Sequence, residues 1–157
     1  MIFNNVGDAT LPDIDESWGL TIIAHVVNNA GIMGAGFAKS LSERYPASRG
    51  YYLKIYAEQG LELGKCIHCP VRPNLSVSHM IAMNGVVSQS NPEPLKYDHL
   101  RTCLQKVHDR AVKYNASVHI PYIGAGLANG NWDTIYQIIE DIFGDSDVNL
   151  IIWEYNG

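Results

Sequence analysis

The stretch Leu20-Thr21-Ile22-Ile23-Ala24-His25-Val26-Val27-Asn28 runs directly into a glycine-rich segment that ends at Gly36, and together they decide the fold of this chain. A near-continuous run of apolar, β-branched residues is typical of a strand that is covered on both faces. After the glycines, Phe37, Leu41 and Tyr45 recur at helical spacing. A buried strand, a glycine-rich turn and a helix in this order predict the central unit of an α/β sheet.

Two glycine-rich loops follow predicted strands: the first glycine loop, Asn28–Gly36, and the second glycine loop, Ile123–Leu127, which comes after a strand predicted over 118–122. Glycine at such a turn lets backbone N–H groups approach a ligand closely, and the following helix adds the positive end of its dipole. Both loops are expected at the carboxyl ends of strands, where ligands of open α/β sheets bind. The pair therefore predicts one site for a ligand that carries a diphosphate.

The rest of the chain alternates between strand and helix patterns. Further strands are predicted over 65–70, 77–83 and 150–155, and Pro46 divides the first helical region in two. Apolar residues at helical spacing mark two later helices, the first by Leu100, Leu104, Val107 and Ala111, the second by Ile135, Ile138, Ile139 and Ile142. This alternation predicts a three-layer α/β/α sandwich, and since no linker interrupts it, residues 1–157 are expected to form a single domain.

Composition excludes several classes of function. The chain has 157 residues, 46% of them hydrophobic, and a net charge of -5. No apolar run approaches the roughly twenty residues that span a bilayer, and no basic stripe suggests general nucleic-acid binding. The three cysteines and the absence of a secretory signal predict a reducing, intracellular and therefore cytoplasmic setting.

Cys66-Ile67-His68-Cys69 contains the ligand types of half a zinc site. A second pair at zinc-finger spacing does not follow, so we expect these residues to pack in the core rather than to hold a metal. We also expect no cofactor. The first glycine loop matches neither the phosphate-loop pattern nor the dinucleotide fingerprint, because Lys39 stands where the third glycine of that fingerprint would fall.

Four pieces of the chain, in order, resemble the macro domain family. They are Gly7-Asp8, the first glycine loop, Gly124-Ala125-Gly126, and the last strand ending in Trp153-Glu154-Tyr155. Ala24–Asn28 leading into Met33–Ala38 is most similar to the branch of ADP-ribose 1''-phosphate phosphatases and ADP-ribosyl-glutamate hydrolases. The resemblance implies a mixed central sheet with an ADP-ribose cleft at the carboxyl ends of its central strands.

The resemblance also assigns roles within that cleft. Asp8 would accept a hydrogen bond from the adenine amino group, Asn28 would reach the distal ribose and Tyr155 would pack on the adenine. Backbone groups of the two glycine loops would hold the diphosphate. The complete predicted substrate-binding set is Asp8, Ala9, Asn28, Gly31, Met33, Gly34, Ala35, Gly36, Ile123, Gly124, Ala125, Gly126, Leu127 and Tyr155.

The candidate catalytic residues are Asn28 and His25. Cleavage of a phosphate monoester needs the ester held in line with a water and donors for the developing charge. His25 is the nearest group able to move a proton near neutral pH, although a histidine in a buried strand is more often a hydrogen-bonded core residue. Three residues apart on a strand, the two side chains face opposite ways unless a bulge or the strand end intervenes.

Glutamate-hydrolysing macro domains use a lysine near the strand before the proline-rich loop and an aspartate just after the second glycine loop. Asn84-Gly85 and Ala128 stand at those places here. The sequence therefore favours a phosphatase acting on ADP-ribose 1''-phosphate. Two alternatives stay open: an ADP-ribosyl hydrolase acting on protein or nucleic acid, and a non-catalytic reader of ADP-ribose or of ADP-ribosylated protein.

Overall fold

A computed structural model describes residues 1–12, 19–126 and 128–155. Its strands are β1 (Ile2–Val6), β2 (Thr21–Asn28), β3 (Cys66–Arg72), β4 (Leu75–Met83), β5 (Ser117–Ile120) and β6 (Leu150–Glu154). Its helices are α1 (Gly36–Arg44), α2 (Pro46–Gln59), α3 (Tyr97–Tyr114) and α4 (Trp132–Phe143). None of the helices in these ranges is long and apolar enough to span a bilayer.

The six strands form one sheet in the order β1-β6-β5-β2-β4-β3. All neighbouring strands are parallel except β3, which is antiparallel to β4. β2 lies between β5 and β4 and is buried on both faces, which explains why most of its residues are apolar. The predicted mixed sheet is confirmed, and so is the central position predicted for the strand that is now β2.

Helices cover both faces of the sheet. On one face, α3 and α4 pack against the central strands through a large apolar cluster that includes Leu104, Val107, Ile135 and Ile139. On the other face, α1 and α2 contribute Leu41 and Tyr52 to two smaller clusters. The three-layer α/β/α sandwich expected from the sequence is therefore confirmed.

Besides small shifts in the bounds of β3 and β4, the structure differs from the sequence prediction at β1 and at the end of β5. β1 was not predicted, because its sequence Ile-Phe-Asn-Asn-Val contains two asparagines and forms an exposed edge of the sheet. β5 ends at Ile120 rather than at Tyr122, since Pro121 has no N–H with which to extend the ladder. The N–H of Ile123 instead bonds the Pro121 carbonyl at 2.8 Å, which starts the second glycine loop in a tight turn.

Candidate functional site

A cavity of about 590 Å³ opens at the carboxyl ends of β2 and β5, between the two glycine loops. Its described lining residues are His25, Val26, Val27, Asn28, Ile32, Met33, Gly34, Ala35, Gly36, Phe37, Ala38, Met83, Val86, Val87, Pro121, Tyr122, Ile123, Gly124, Gly126 and Ala128. The structure thus brings both loops together on one cavity, as the strand order requires. The size of the cavity is that of a small-molecule site.

The lining of this cavity carries no formal charge. Among its described residues there is no Asp, Glu, Lys or Arg. The pKa of His25 is lowered well below its ordinary value, first by burial and then by the neighbouring His79, so the imidazole is neutral at pH 7. Any electrostatic attraction for an anion must therefore come from backbone dipoles rather than from side chains.

Helix α1 supplies such a dipole. It begins at Gly36 beside the cavity, and its N-cap, Ala35, makes no side-chain hydrogen bond. The first turn contains no acidic residue, and Phe37 and Ala38 of this turn line the cavity. The first N–H groups of a helix lack intrahelical partners, so this end of α1 presents free donors and partial positive charge to the cavity.

Asn28 organises the first glycine loop from inside. Its Oδ1 accepts hydrogen bonds from the N–H groups of Ala30 at 3.0 Å and Ile32 at 3.2 Å, and its Nδ2 donates to the Ile32 carbonyl at 2.6 Å. The buried Tyr52 hydroxyl of α2 lies 2.8 Å from the Asn28 carbonyl and 3.0 Å from Oδ1. Burial raises the pKa of Tyr52 to about 12, so this hydroxyl stays a donor. Most of the hydrogen-bonding capacity of the Asn28 amide is thus used to shape the loop.

His25 belongs to a buried chain of two imidazoles. His79 Nε2 lies 2.9 Å from the Ser48 carbonyl oxygen, which only accepts, so His79 donates there and accepts at Nδ1. His25 Nε2 lies 2.6 Å from that Nδ1 and is therefore the donor. Burial lowers the pKa of His79 to about 4, which agrees with a neutral ring. These tautomers leave His25 Nδ1 as an acceptor with no hydrogen bond to the described residues.

The two candidate catalytic residues both line the cavity, and the pairing of β2 with β4 shifts between Val27 and Asn28. Val27 pairs with Ile81 and Asn28 with Met83, so one residue of β4 is passed over. The residue that is passed over belongs to β4, so the alternation along β2 is unchanged; Asn28 is instead the last residue of its strand, which is one of the two conditions that the sequence prediction left open. Tyr52 of α2 contacts Asn28 directly, whereas His25 is linked to Ser48 of α2 through His79.

Four glycines of the two loops fall into two kinds, and the fifth, Gly36, has positive φ and lines the cavity. A Cβ on Gly31 would lie 2.6 Å from the Tyr56 ring, and one on Gly124 would lie 2.9 Å from Leu95; both residues also have positive φ. The fold itself therefore requires glycine at these two positions. A Cβ on Gly34 or Gly126 would meet nothing within 4 Å in the described part of the chain, and both glycines line the cavity.

Several predicted binding residues lie outside the cavity lining. Asp8 and Tyr155 follow β1 and β6, whose last residues pair, and the Gly7 N–H bonds the Glu154 carbonyl at 2.8 Å. The two side chains thus leave adjacent strands, and Asp8 Oδ1 accepts from the Thr10 N–H and hydroxyl at 2.8 and 2.7 Å. Ala9 is buried, and neither Gly31 nor Ala125 contributes to the lining. Leu127 lies outside the described residues, so each of these roles stays a prediction.

Sequence reasoning missed part of the cavity wall. Val86 and Val87 stand half-exposed after β4, and Tyr122 stacks flat on Trp132, with ring centroids 4.4 Å apart. The segment after β4 is tied to the first glycine loop by Asn29, whose Oδ1 accepts from the Gly85 N–H at 2.8 Å. Two valines after a buried strand form no recognisable motif. Their position at the carboxyl end of β4 could nevertheless have indicated that they line the cavity.

Comparisons with known proteins agree with this geometry. A model of the Macro domain family matches residues 24–139. A protein of unknown function from Bacteroides thetaiotaomicron has a TM-score of 0.90 with 31% identity, covering 98% of each chain. A macrodomain protein from Streptomyces coelicolor has a TM-score of 0.82 with 32% identity, again covering 98% of each chain.

A mutant macrodomain of Oceanobacillus iheyensis, solved with ADPR, has a TM-score of 0.71. It is 18% identical, and the match covers 97% of this chain and 83% of that one. At this identity the likeness concerns the fold alone.

Proposed function

Because the chain belongs to the Macro domain family, we propose that it binds ADP-ribose in the cavity between its two glycine loops. The observation that carries this proposal is the combination of an uncharged lining with the free N-terminus of α1 and two glycines that nothing in the described fold requires. Backbone N–H groups would hold the diphosphate, as helix N-termini and glycine turns hold phosphates in general. An O. iheyensis relative of the same fold was solved with ADPR, which supports the choice of ligand.

Adenine recognition by Asp8, with Ala9 and Tyr155 beside it, is part of the same proposal. The adjacent ends of β1 and β6 would place the base at one side of the cavity and the distal ribose near Asn28. Asp8 Oδ2, which makes no hydrogen bond to the described residues, would accept a hydrogen bond from the adenine amino group while Oδ1 keeps its bonds to Thr10.

The reaction we propose for this site is hydrolysis of ADP-ribose 1''-phosphate, with His25 as proton acceptor. The acceptor atom would be Nδ1, which the histidine chain leaves unprotonated. A base with a lowered pKa is weak, so we expect slow turnover compared with a site whose base titrates near 7. A reader that binds ADP-ribose or ADP-ribosylated protein without turnover is the second candidate, favoured by the lack of any carboxylate or lysine in the described lining.

Phosphorus NMR of the protein mixed with ADP-ribose 1''-phosphate tests both candidates, since it follows the diphosphate signals and free phosphate together. His25→Gln keeps a donor toward His79 but removes the imidazole base, and His99→Gln, outside the cavity, is the matched control. Free phosphate that appears with the native protein and the control, but not with His25→Gln, supports the phosphatase.

Shifted diphosphate signals without phosphate release would instead identify a reader, or a hydrolase of another ADP-ribose linkage. Unshifted diphosphate signals at millimolar protein would overturn ADP-ribose binding itself. A reducing cytoplasm stays the predicted compartment.

A further inference from the structure

A second cavity, of about 460 Å³, lies at the β3 edge of the sheet between α2 and α3. Tyr51 and Gln59 of α2, Lys65 and His68 at β3, and Arg110 of α3 are among its lining residues. Within the described residues it shares no lining residue with the cavity between the glycine loops. It is therefore a separate site on the molecule.

Permanent cations concentrate around this edge cavity, in a chain whose net charge is -5. Lys65 and Arg110 line it, and Lys106 lies one helical turn before Arg110 with its Nζ bonded to the Gly64 carbonyl at 2.8 Å. The acid in the lining, Glu62, is exposed and pairs with Lys65 at 2.9 Å on the solvent side. Such an exposed pair is weak, so Lys65 can exchange it for a ligand anion.

The side chain of His68 does not add to this charge. Burial, with Arg110 and Lys106 nearby, lowers the pKa of His68 to about 4, and its Nδ1 lies 2.7 Å from the Ser78 hydroxyl. The ring is thus neutral at pH 7 and reports on the cavity without competing for an anion.

The Nε–H group of Arg110 is a buried hydrogen-bond donor whose bonding is not satisfied within the described residues. The Nε atom is hidden from solvent and has no hydrogen-bond partner among the residues that the structure describes, while the guanidinium carbon lies 4.9 Å from the centre of the Tyr114 ring. A buried N–H without an acceptor is uncommon in folded proteins and calls for an explanation. The two terminal NH2 groups of the guanidinium can bind two oxygens of a phosphate group, whereas Nε reaches such an oxygen only after the side chain rotates.

Part of the lining is apolar. Ile55, Ile67 and Ile81 belong to it, and the Tyr51 ring, which also lines the cavity, is half-exposed. A cavity of this volume exceeds what an inorganic phosphate ion fills, and an aromatic ring together with aliphatic side chains suits an organic body. We propose that the edge cavity binds a small organic phosphate monoester, whose phosphate contacts Arg110 and Lys65 and whose body packs on Tyr51.

Titration by NMR tests this site with adenosine 5'-monophosphate as the probe, read at the Arg110 Nε–H and the His68 ring. Inorganic phosphate and adenosine are titrated separately to distinguish the anionic group from the body. We expect saturable shifts with the monophosphate, weaker binding of inorganic phosphate and no shift at these atoms with adenosine. If inorganic phosphate binds with the same affinity as the monophosphate, the proposal that the cavity recognises an organic body is wrong. If a 10-fold excess of the monophosphate over protein shifts neither signal, the proposed site is wrong.

Two variants make the test specific. Arg110→Gln removes the fork, and we expect binding at least about tenfold weaker, the usual effect of losing one charge-assisted hydrogen bond. Lys65→Gln tests the second cation independently and should also weaken binding. The matched control is Arg101→Gln, which loses the same charge from the same helix but from an exposed pair with Asp141. If Arg101→Gln weakens binding as much as Arg110→Gln does, the binding comes from general electrostatic attraction, and the proposed site is wrong.

The outcome is independent of ADP-ribose binding. The amides of Gly34 and Gly126 report on the cavity between the glycine loops in the same spectra. Monophosphate shifts confined to those two amides would overturn the edge site while leaving the ADP-ribose proposal intact. If the monophosphate shifts the Arg110 signal while ADP-ribose leaves the Gly34 amide unshifted, the edge site is supported and the ADP-ribose proposal is overturned.

Discussion

Gly34→Ala is expected to raise stability and to lower affinity for ADP-ribose. A Cβ at this position meets nothing within 4 Å in the described fold, and the φ of Gly34 lies outside the positive region. Alanine therefore fits the native backbone without strain. Because it restricts the unfolded chain, it should increase the free energy of unfolding by about 0.4 to 1 kcal/mol.

The affinity changes in the opposite direction because the methyl group stands where the ligand would approach. A backbone N–H donates to a phosphate oxygen at roughly 2.9 Å, whereas ordinary contact with a Cβ begins only at 3.4 Å. The diphosphate must move outward, which weakens at least one hydrogen bond to a charged group, worth about 1.5 to 3 kcal/mol. We expect a Kd that is about 10- to 150-fold higher.

Calorimetric titration with ADP-ribose and thermal unfolding of the same samples measure both effects. Gly50→Ala is the matched control, because Gly50 also faces open space and lacks positive φ but lies within α2, away from the cavity. It should stabilise the protein similarly and leave the Kd unchanged. Native affinity in Gly34→Ala, with the control behaving as expected, would refute the reasoning that reserves this glycine for the ligand.

Two further predictions concern the buried polar groups beneath the cavity. His79 has a lowered pKa in the fold, so below pH 6.5 it binds a proton in the unfolded chain only, and it should contribute up to about 1.4 kcal/mol per pH unit to the fall in the free energy of unfolding between pH 6.5 and about 4, beside the contributions of His25 and His68. His79→Gln keeps a donor for the Ser48 carbonyl and should reduce the slope by that amount in urea titrations across this range; an unchanged slope would contradict the assignment. Asn28→Ala should lower the free energy of unfolding by about 1 to 3 kcal/mol and Tyr52→Phe by about 0.5 to 1.5, because the first removes the centre of the loop and the second only its support. If urea denaturation gives Asn28→Ala the same free energy of unfolding as the native protein, Asn28 does not hold the loop.

The sequence was most informative where the pattern of apolar residues is strong. β2 is buried on both faces, so its composition alone indicated a central strand, and Pro46 marked the boundary between α1 and α2 because proline suits the first turn of a helix. β1 escaped prediction because four of its five residues are exposed and an edge strand needs no apolar alternation. Its register with β6 nevertheless pairs Val6 with Glu154, so the segments that carry Asp8 and Tyr155 leave the sheet from adjacent strands.

The relation between His25 and Asn28 could not be read from the sequence, because it depends on the direction that the Asn28 side chain takes at the end of β2. Regular alternation would turn the two side chains to opposite faces. The passage from the Val27–Ile81 pair to the Asn28–Met83 pair omits Ala82, and no local feature of either strand specifies that omission. At the end of β2 the Asn28 side chain bonds the backbone of Ile32, so the asparagine shapes the loop, while His25, inside the regular ladder, lines the cavity. The tautomer of His25 depends on the bond between His79 and Ser48 of α2, which sequence spacing alone cannot reveal.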